Sequence, residues 1–308
     1  MRWRWVNLAV AAATLAVLVW QVGTGPFLDG LRAVDAWALA AASGLAVLTT
    51  VCCAWRWRIV ARGLGVDLPL GTAVASYYRS LFLNVTVPGG IVGDVHRGIN
   101  HGRETSDVGR GLRAVAWERS AGQVVQVVLT VAVLLVLPSP VRGVMPIVAL
   151  ALVAAAAGVA IAARVRPAAG RSRWARLRRG AARDLRDGLL ARRAWPAIAL
   201  ASALVVAGHA ATFLIAARSA GATAPPSEML PLALLVMQAA ALPNVGGWGP
   251  REGVTAWAFA AAGLGASLGV ATAVAYGVMV LVASLPGAVV LVAAELKLPV
   301  HLRGVPDV

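Results

Sequence analysis

Six apolar blocks, each of membrane-crossing length, decide what this chain can fold into. They are Val6–Val22, Trp37–Ala54, Ala114–Leu137, Val144–Ala163, Trp195–Ala217 and Ala266–Ala294. A helix of roughly 20 apolar residues crosses about 30 Å of hydrocarbon. In that medium each backbone must satisfy its own hydrogen bonds, so the blocks are predicted to be helices. The expected fold is an all-α polytopic transmembrane helix bundle. Two further apolar stretches, Leu70–Val87 and Met229–Leu242, are shorter or interrupted. No polar segment is long enough to build a core of its own, so residues 1–308 read as a single membrane domain.

Composition agrees. Hydrophobic residues make up 59% of the 308 and charged residues 13%, against about 25% charged in a soluble domain. The mean hydropathy is +0.77. The net charge of +15 comes from arginines in short loops between the blocks. The positive-inside rule accounts for that placement, so no nucleic-acid partner is expected. The Ala-, Val- and Arg-rich makeup, with Lys297 the sole lysine, suggests a bacterial genome. Cys52 and Cys53 are adjacent in an apolar block and read as small buried hydrophobes, without Cys/His metal spacing. Arg2, Trp3, Arg4 and Trp5 read as an interfacial anchor ahead of a retained first helix.

Arginine bookkeeping predicts the topology. The segment Arg164–Arg193 is the richest in arginine and is opposed only by Asp184 and Asp187, which makes it a cytoplasmic loop. Within it, Trp174, Leu177, Ala181, Leu185 and Leu189 fall at helical spacing. They suit an amphipathic helix on an anionic leaflet, or else the loop is solvated and only fixes topology. The N-terminus, a loop at Arg56–Arg62 and the tail with Lys297 and Arg303 are expected in the cytoplasm of a plasma-membrane protein. The connections Gly23–Asp35, Pro138–Gly143 and Arg218–Ser227 are expected outside.

Counting crossings then leaves Leu70–Arg113 beginning and ending inside, and Ser227–Gly265 beginning and ending outside. Each contains a Pro/Gly break. About six full spans plus two re-entrant segments of opposite polarity satisfy the count. Paired Gly/Pro-interrupted segments are the best sequence pointer to a transporter's site, because broken backbone at membrane depth must be buried or line a wet cavity.

The candidate chemistry sits at those breaks. The first cluster holds Asn84, Pro88, Gly89, Gly90, Gly93, Asp94, His96 and Arg97. The second holds Pro243, Asn244, Gly246, Gly247, Gly249, Arg251 and Glu252. Glycines let backbone N–H groups approach a ligand, helix N-termini favour anions, and guanidinium forks match phosphate. Arg97 and Arg251 are the candidate head-group contacts. In a third place, Glu118 and Arg119 stand near the start of a membrane helix, followed by Ser120, Gln123 and Gln126. Ionisable residues there are expensive and default to functional candidates; Glu118 is positioned to pair with Arg97 or Arg113. Glu118, Arg119 and Glu252 would set local geometry or gate. For each cluster a purely structural alternative stands beside this one, with tight turns and local Asp94–Arg97 and Arg251–Glu252 pairs. His209 and Gln238 read as interhelical glue.

The sequence carries no HExxH, G-x-S-x-G, P-loop lysine motif or paired acidic metal site. No enzymatic activity and no cofactor are expected, and transport would be downhill or ion-coupled.

The run VPGGIVGD with Arg97, then WERSAG with Glu118, Arg119 and Gly122, resembles the transmembrane region of lysylphosphatidylglycerol synthases and related flippase-like proteins. LPNVGGWGPREG and SLPG (Ser284–Gly287) fit the same family, with Val92 standing where a second glycine is common. The resemblance covers about Trp5 to Leu296. It implies movement of an anionic phospholipid of the phosphatidylglycerol type between leaflets. Aminoacyl transfer is not carried over, because the catalytic domain of full synthases has no counterpart in these residues. The alternatives are transport of a polyprenyl-phosphate-linked glycan, or a non-transporting scaffold for a partner enzyme such as a glycosyltransferase. The oligomeric state is left open.

Overall fold

The computed structural model describes residues 13, 15–87, 90–164, 180–185, 189, 191, 192, 194–239 and 248–297. Among them the architecture is all helical, with no strand. Helical residues 15–22 form α1. They are followed by α2 (Gly25–Arg32), α3 (Ala36–Gly63), α4 (Leu70–Thr86), α5 (Val92–Glu104) and α6 (Val108–Val136). Next come α7 (Met145–Arg164) and a short α8 at residues 180–184. The chain continues with α9 (Trp195–Ser219), α10 (Pro226–Ala239), α11 (Pro250–Ala261), α12 (Ala266–Ser284) and α13 (Pro286–Lys297).

Five of these segments are long and apolar enough to span a bilayer: Ala36–Gly63, Val108–Val136, Arg142–Ile161, Trp195–Ser219 and Ala266–Ala293. They match five of the six predicted blocks, and about half of the sixth, Val6–Val22, lies outside the described residues. The protein is a multi-pass helical membrane bundle. Its surface confirms the solvent it was built for: Ile147, Leu150, Val153 and Ile161 of one helix are all well exposed. Water would not tolerate that face, whereas lipid is as apolar as the side chains themselves.

Three expectations change. The Arg56–Arg62 segment is no loop, because α3 runs on unbroken to Gly63 and closes at Gly65 with Val66 N–H donating to the Ala61 carbonyl. Arg56 is thereby buried in the bundle, 5% exposed. Inside the predicted connection Gly23–Asp35, α2 forms and packs against α12. The closing block is divided at Leu285–Pro286, where proline removes a ladder donor, and α13 turns onto α4.

Both broken segments are helix–break–helix units. Asn84 and Ser80 of α4 reach Asp94 of α5, and Tyr77 reaches Arg97, so α4 and α5 run antiparallel. Gly93 is required at their contact, since a Cβ there would stand 2.1 Å from the Ser80 carbonyl oxygen. α5 is inside-out by soluble standards. Asp94, Arg97 and His101, spaced three and four apart, are buried, while Ile91, Val92 and Val95 face outward. That polarity suits a helix immersed in an apolar medium. α10 and α11 likewise pack on each other across the second break, and α11 lies along α12.

Candidate functional site

Five charged side chains from three helices, α3, α5 and α6, converge where these meet α4. Glu118, fully buried on α6, is the hub. Arg56 donates to its Oε1 from Nε at 2.9 Å and from Nη2 at 2.5 Å. Tyr77 donates its hydroxyl to the same oxygen at 3.1 Å. Arg97 Nη2 donates to Oε2 at 3.0 Å and to Asp94 Oδ1 at 2.9 Å. Asp94 also accepts from Ser80 at 3.2 Å, from Asn84 Nδ2 at 3.0 Å and from Arg119 Nη2.

Packing explains why three guanidiniums tolerate one another. Arg97 is held between the rings of Tyr77 and Trp57, 4.1 and 4.4 Å from their centroids. Desolvated contacts of this kind contribute about 2 kcal/mol. Arg56 reaches across to Ser202 of α9 at 2.9 Å. Gly122 makes room for it, because a Cβ there would lie 2.6 Å from Arg56 Nη1. Three cations against two carboxylates leave the cluster with one net positive charge. Arg119 carries it outward: its side chain is 48% exposed, whereas those of Arg97 and Glu118 are 0% exposed.

The second cluster is smaller and electrically closed. Glu252, buried, accepts from Arg251 Nε at 3.0 Å and from the Gly249 backbone N–H at 2.6 Å, capping α11. Gly249 sits at φ +107°, a conformation that favours glycine. Arg251 stacks near Trp248 and Tyr276, at 5.3 and 5.5 Å. Tyr276 in turn meets His209 Nδ1 at 3.3 Å, so His209 serves as a link between α9 and α12.

Of the candidate residues, Asn84, Asp94, Arg97, Glu118 and Arg119 come together, with Gly93 at the α4–α5 contact and Gly90 in the break at φ +64°. Arg251 and Glu252 form the separate pair. Pro88, Gly89, Pro243, Asn244, Gly246 and Gly247 lie outside the described residues, as do Trp174 and Leu177 of the basic loop. The predicted Glu118–Arg97 pair forms; Arg113 instead donates to Asp184 at 3.0 Å, alongside the Trp117 indole at 3.3 Å. Leu185 and Leu189 join one apolar cluster with Val60, Trp117 and Ile198, so this part of the loop faces protein.

Sequence reasoning missed Arg56, Trp57, Tyr77, Ser80 and Ser202. The available signal was an arginine placed directly after the apolar block at CCAW, with no helix-ending residue before Gly63.

Between α3, α4, α9 and α12 lies an apolar cleft with about 570 Å³ of empty space, its open mouth included. Tyr77 and Cys53 line it beside the first cluster, and His209 lines it beside the Tyr276–Arg251 pair.

A bundle of lipid-facing helices, interrupted by two broken units and centred on a buried ion network, defines a polytopic membrane protein with a polar interior site. The chain belongs to the family described as the lysylphosphatidylglycerol synthase TM region, whose model matches residues 4–287. Comparison with curated proteins gave no match.

Proposed function

We propose that this protein moves an anionic phospholipid of the phosphatidylglycerol type between the leaflets of the cytoplasmic membrane, with both termini in the cytoplasm. The observation that carries the reading is the charge balance of the first cluster. Three arginines share two carboxylates, which leaves one net positive charge, and Arg119, salt-bridged to Asp94, is the half-exposed member of the cluster. A head-group phosphate takes that position, while the neighbouring apolar cleft is suited to an acyl chain.

Magnitudes favour a cluster over a lone residue. An isolated charge costs tens of kcal/mol to move into a medium of low dielectric, and one arginine at close range returns about 4 kcal/mol at an effective dielectric near 20. Asp94 holds one nitrogen of the Arg119 guanidinium in place, so the half-exposed fork is oriented before phosphate arrives. In this reading Arg97 and Arg56 hold the hub, Arg119 touches the lipid, and Arg251 with Glu252 fixes the second break.

The test is lipid translocation in proteoliposomes with a head-group reporter on phosphatidylglycerol. Movement above empty liposomes that is slowed about tenfold in Arg119→Ala supports the proposal. An inactive wild type, tested also with a polyprenyl-phosphate reporter, overturns it in favour of a scaffold for a separate enzyme.

A further inference from the structure

Beyond Arg119, one face of α6 stays polar. Arg119, Gln123, Gln126 and Thr130 are spaced four, three and four apart, which places them within an arc of about 60° on the helix. They extend over about 16 Å along the axis, half the thickness of the hydrocarbon core. The opposite face of the same helix carries Val124 and Val128, 63% and 56% exposed, a lipid-facing surface.

α10 completes the stripe. Gln123 Nε2 donates to Gln238 Oε1 at 3.1 Å, and Gln238 Nε2 donates to Thr130 at 2.7 Å. Gln126 Nε2 donates at 3.3 Å to the carbonyl of Met237, near the end of α10 at the second break. Exposure falls along the row: Arg119 and Gln123 are exposed, Gln126 is half-buried and Thr130 is buried. The stripe therefore opens at the first cluster and closes against the second broken unit.

We infer that this α6–α10 seam is the track along which a lipid head group travels, and that it is matched to a singly charged phosphodiester. The inference rests on the transport reading above and adds the route of the head group and the charge it selects. Amides offer donors and acceptors to phosphate and hydroxyl oxygens alike, so a head group passing Gln123 exchanges bonds with Gln238 without leaving either partner bare. Among the described residues, the hydrogen-bonded row past Arg119 holds no further cation. One net positive charge in the cluster balances one negative charge. A phosphomonoester carries close to two, and the cost of a buried charge rises with its square.

The experiment uses full-length protein in liposomes and compares phosphatidylglycerol with phosphatidic acid of the same chains. Wild type is expected to move phosphatidylglycerol about tenfold faster, and Gln123→Leu or Gln238→Leu to slow it about tenfold, the kinetic equivalent of one lost hydrogen bond. A second readout needs no transport. In a Cys52→Ala, Cys53→Ala background, Gln123→Cys and Gln126→Cys are expected to react with a membrane-impermeant thiol reagent, and Val124→Cys and Val128→Cys to be protected. Equal rates for the two lipids, or unchanged rates in both leucine variants, overturn the inference. So does protection of the two glutamine positions, whatever the transport result. A wild type that moves neither lipid, with those positions labelled, overturns the transport reading itself.

Discussion

Arg56 and Glu118 stand 62 residues apart in the chain and meet through two hydrogen bonds to a single carboxylate oxygen, both side chains buried. This pair ties α3 to α6 at the level where Arg97 and Tyr77 also reach Glu118. Breaking it by removing one partner strands the other. Arg56→Ala or Glu118→Ala is expected to cost about 3–5 kcal/mol. The measurement is unfolding in detergent, and Arg56→Met combined with Glu118→Leu should recover only part of the loss, because Arg97 and Tyr77 still lose their acceptor.

Arg97 and Arg119 are expected to separate cleanly. Arg97 is enclosed by two rings and two carboxylates, so Arg97→Ala should lower stability by about 3 kcal/mol or more. Arg119 is half exposed, and Arg119→Ala should keep the fold while slowing lipid movement about tenfold, matching one charged hydrogen bond. Thermal melts beside translocation rates decide between these outcomes.

Gly93→Ala should loosen the first broken unit. Its Cβ would stand 2.1 Å from backbone, which no rotamer relieves, and overpacking of this kind costs about 1–3 kcal/mol. Faster hydrogen exchange confined to α4 and α5 would confirm it, and an unchanged melting point would refute it.

Glu252→Ala removes the α11 cap and the partner of buried Arg251 together. The cap alone is worth about 0.5–2 kcal/mol. Glu252→Gln retains an acceptor for the Gly249 N–H and should lose less than the alanine variant. Equal melting points for the two variants would show that the acceptor retained by glutamine adds nothing to stability.

Asp184→Asn weakens the tether between the basic loop and α6, where Arg113 is half exposed and the ion pair is worth at most about 1 kcal/mol. Global stability should barely change. Trypsin should nonetheless cut at Arg183 and its neighbours several-fold faster, because opening of a local segment is what a protease reads.

What the sequence by itself determined is the solvent and the register of the helices. Apolar blocks of a length set by the bilayer, separated by arginine-rich or glycine-rich connections, leave little freedom: Trp195–Ala217 was expected and Trp195–Ser219 forms. Local signals also marked both breaks and the charges beside them, since a buried glutamate in a membrane helix is too costly to be incidental. Only the tertiary structure decided which charges belong together. Arg56 reads as a loop residue until α3 is seen to continue beneath it, and Arg97 reads as a ligand-facing fork until Trp57 and Tyr77 close over it. The reason is physical. Hydrophobic length is a property of a segment and is written locally, whereas the pairing of buried charges depends on which helix faces meet, and contacts between distant helices set that.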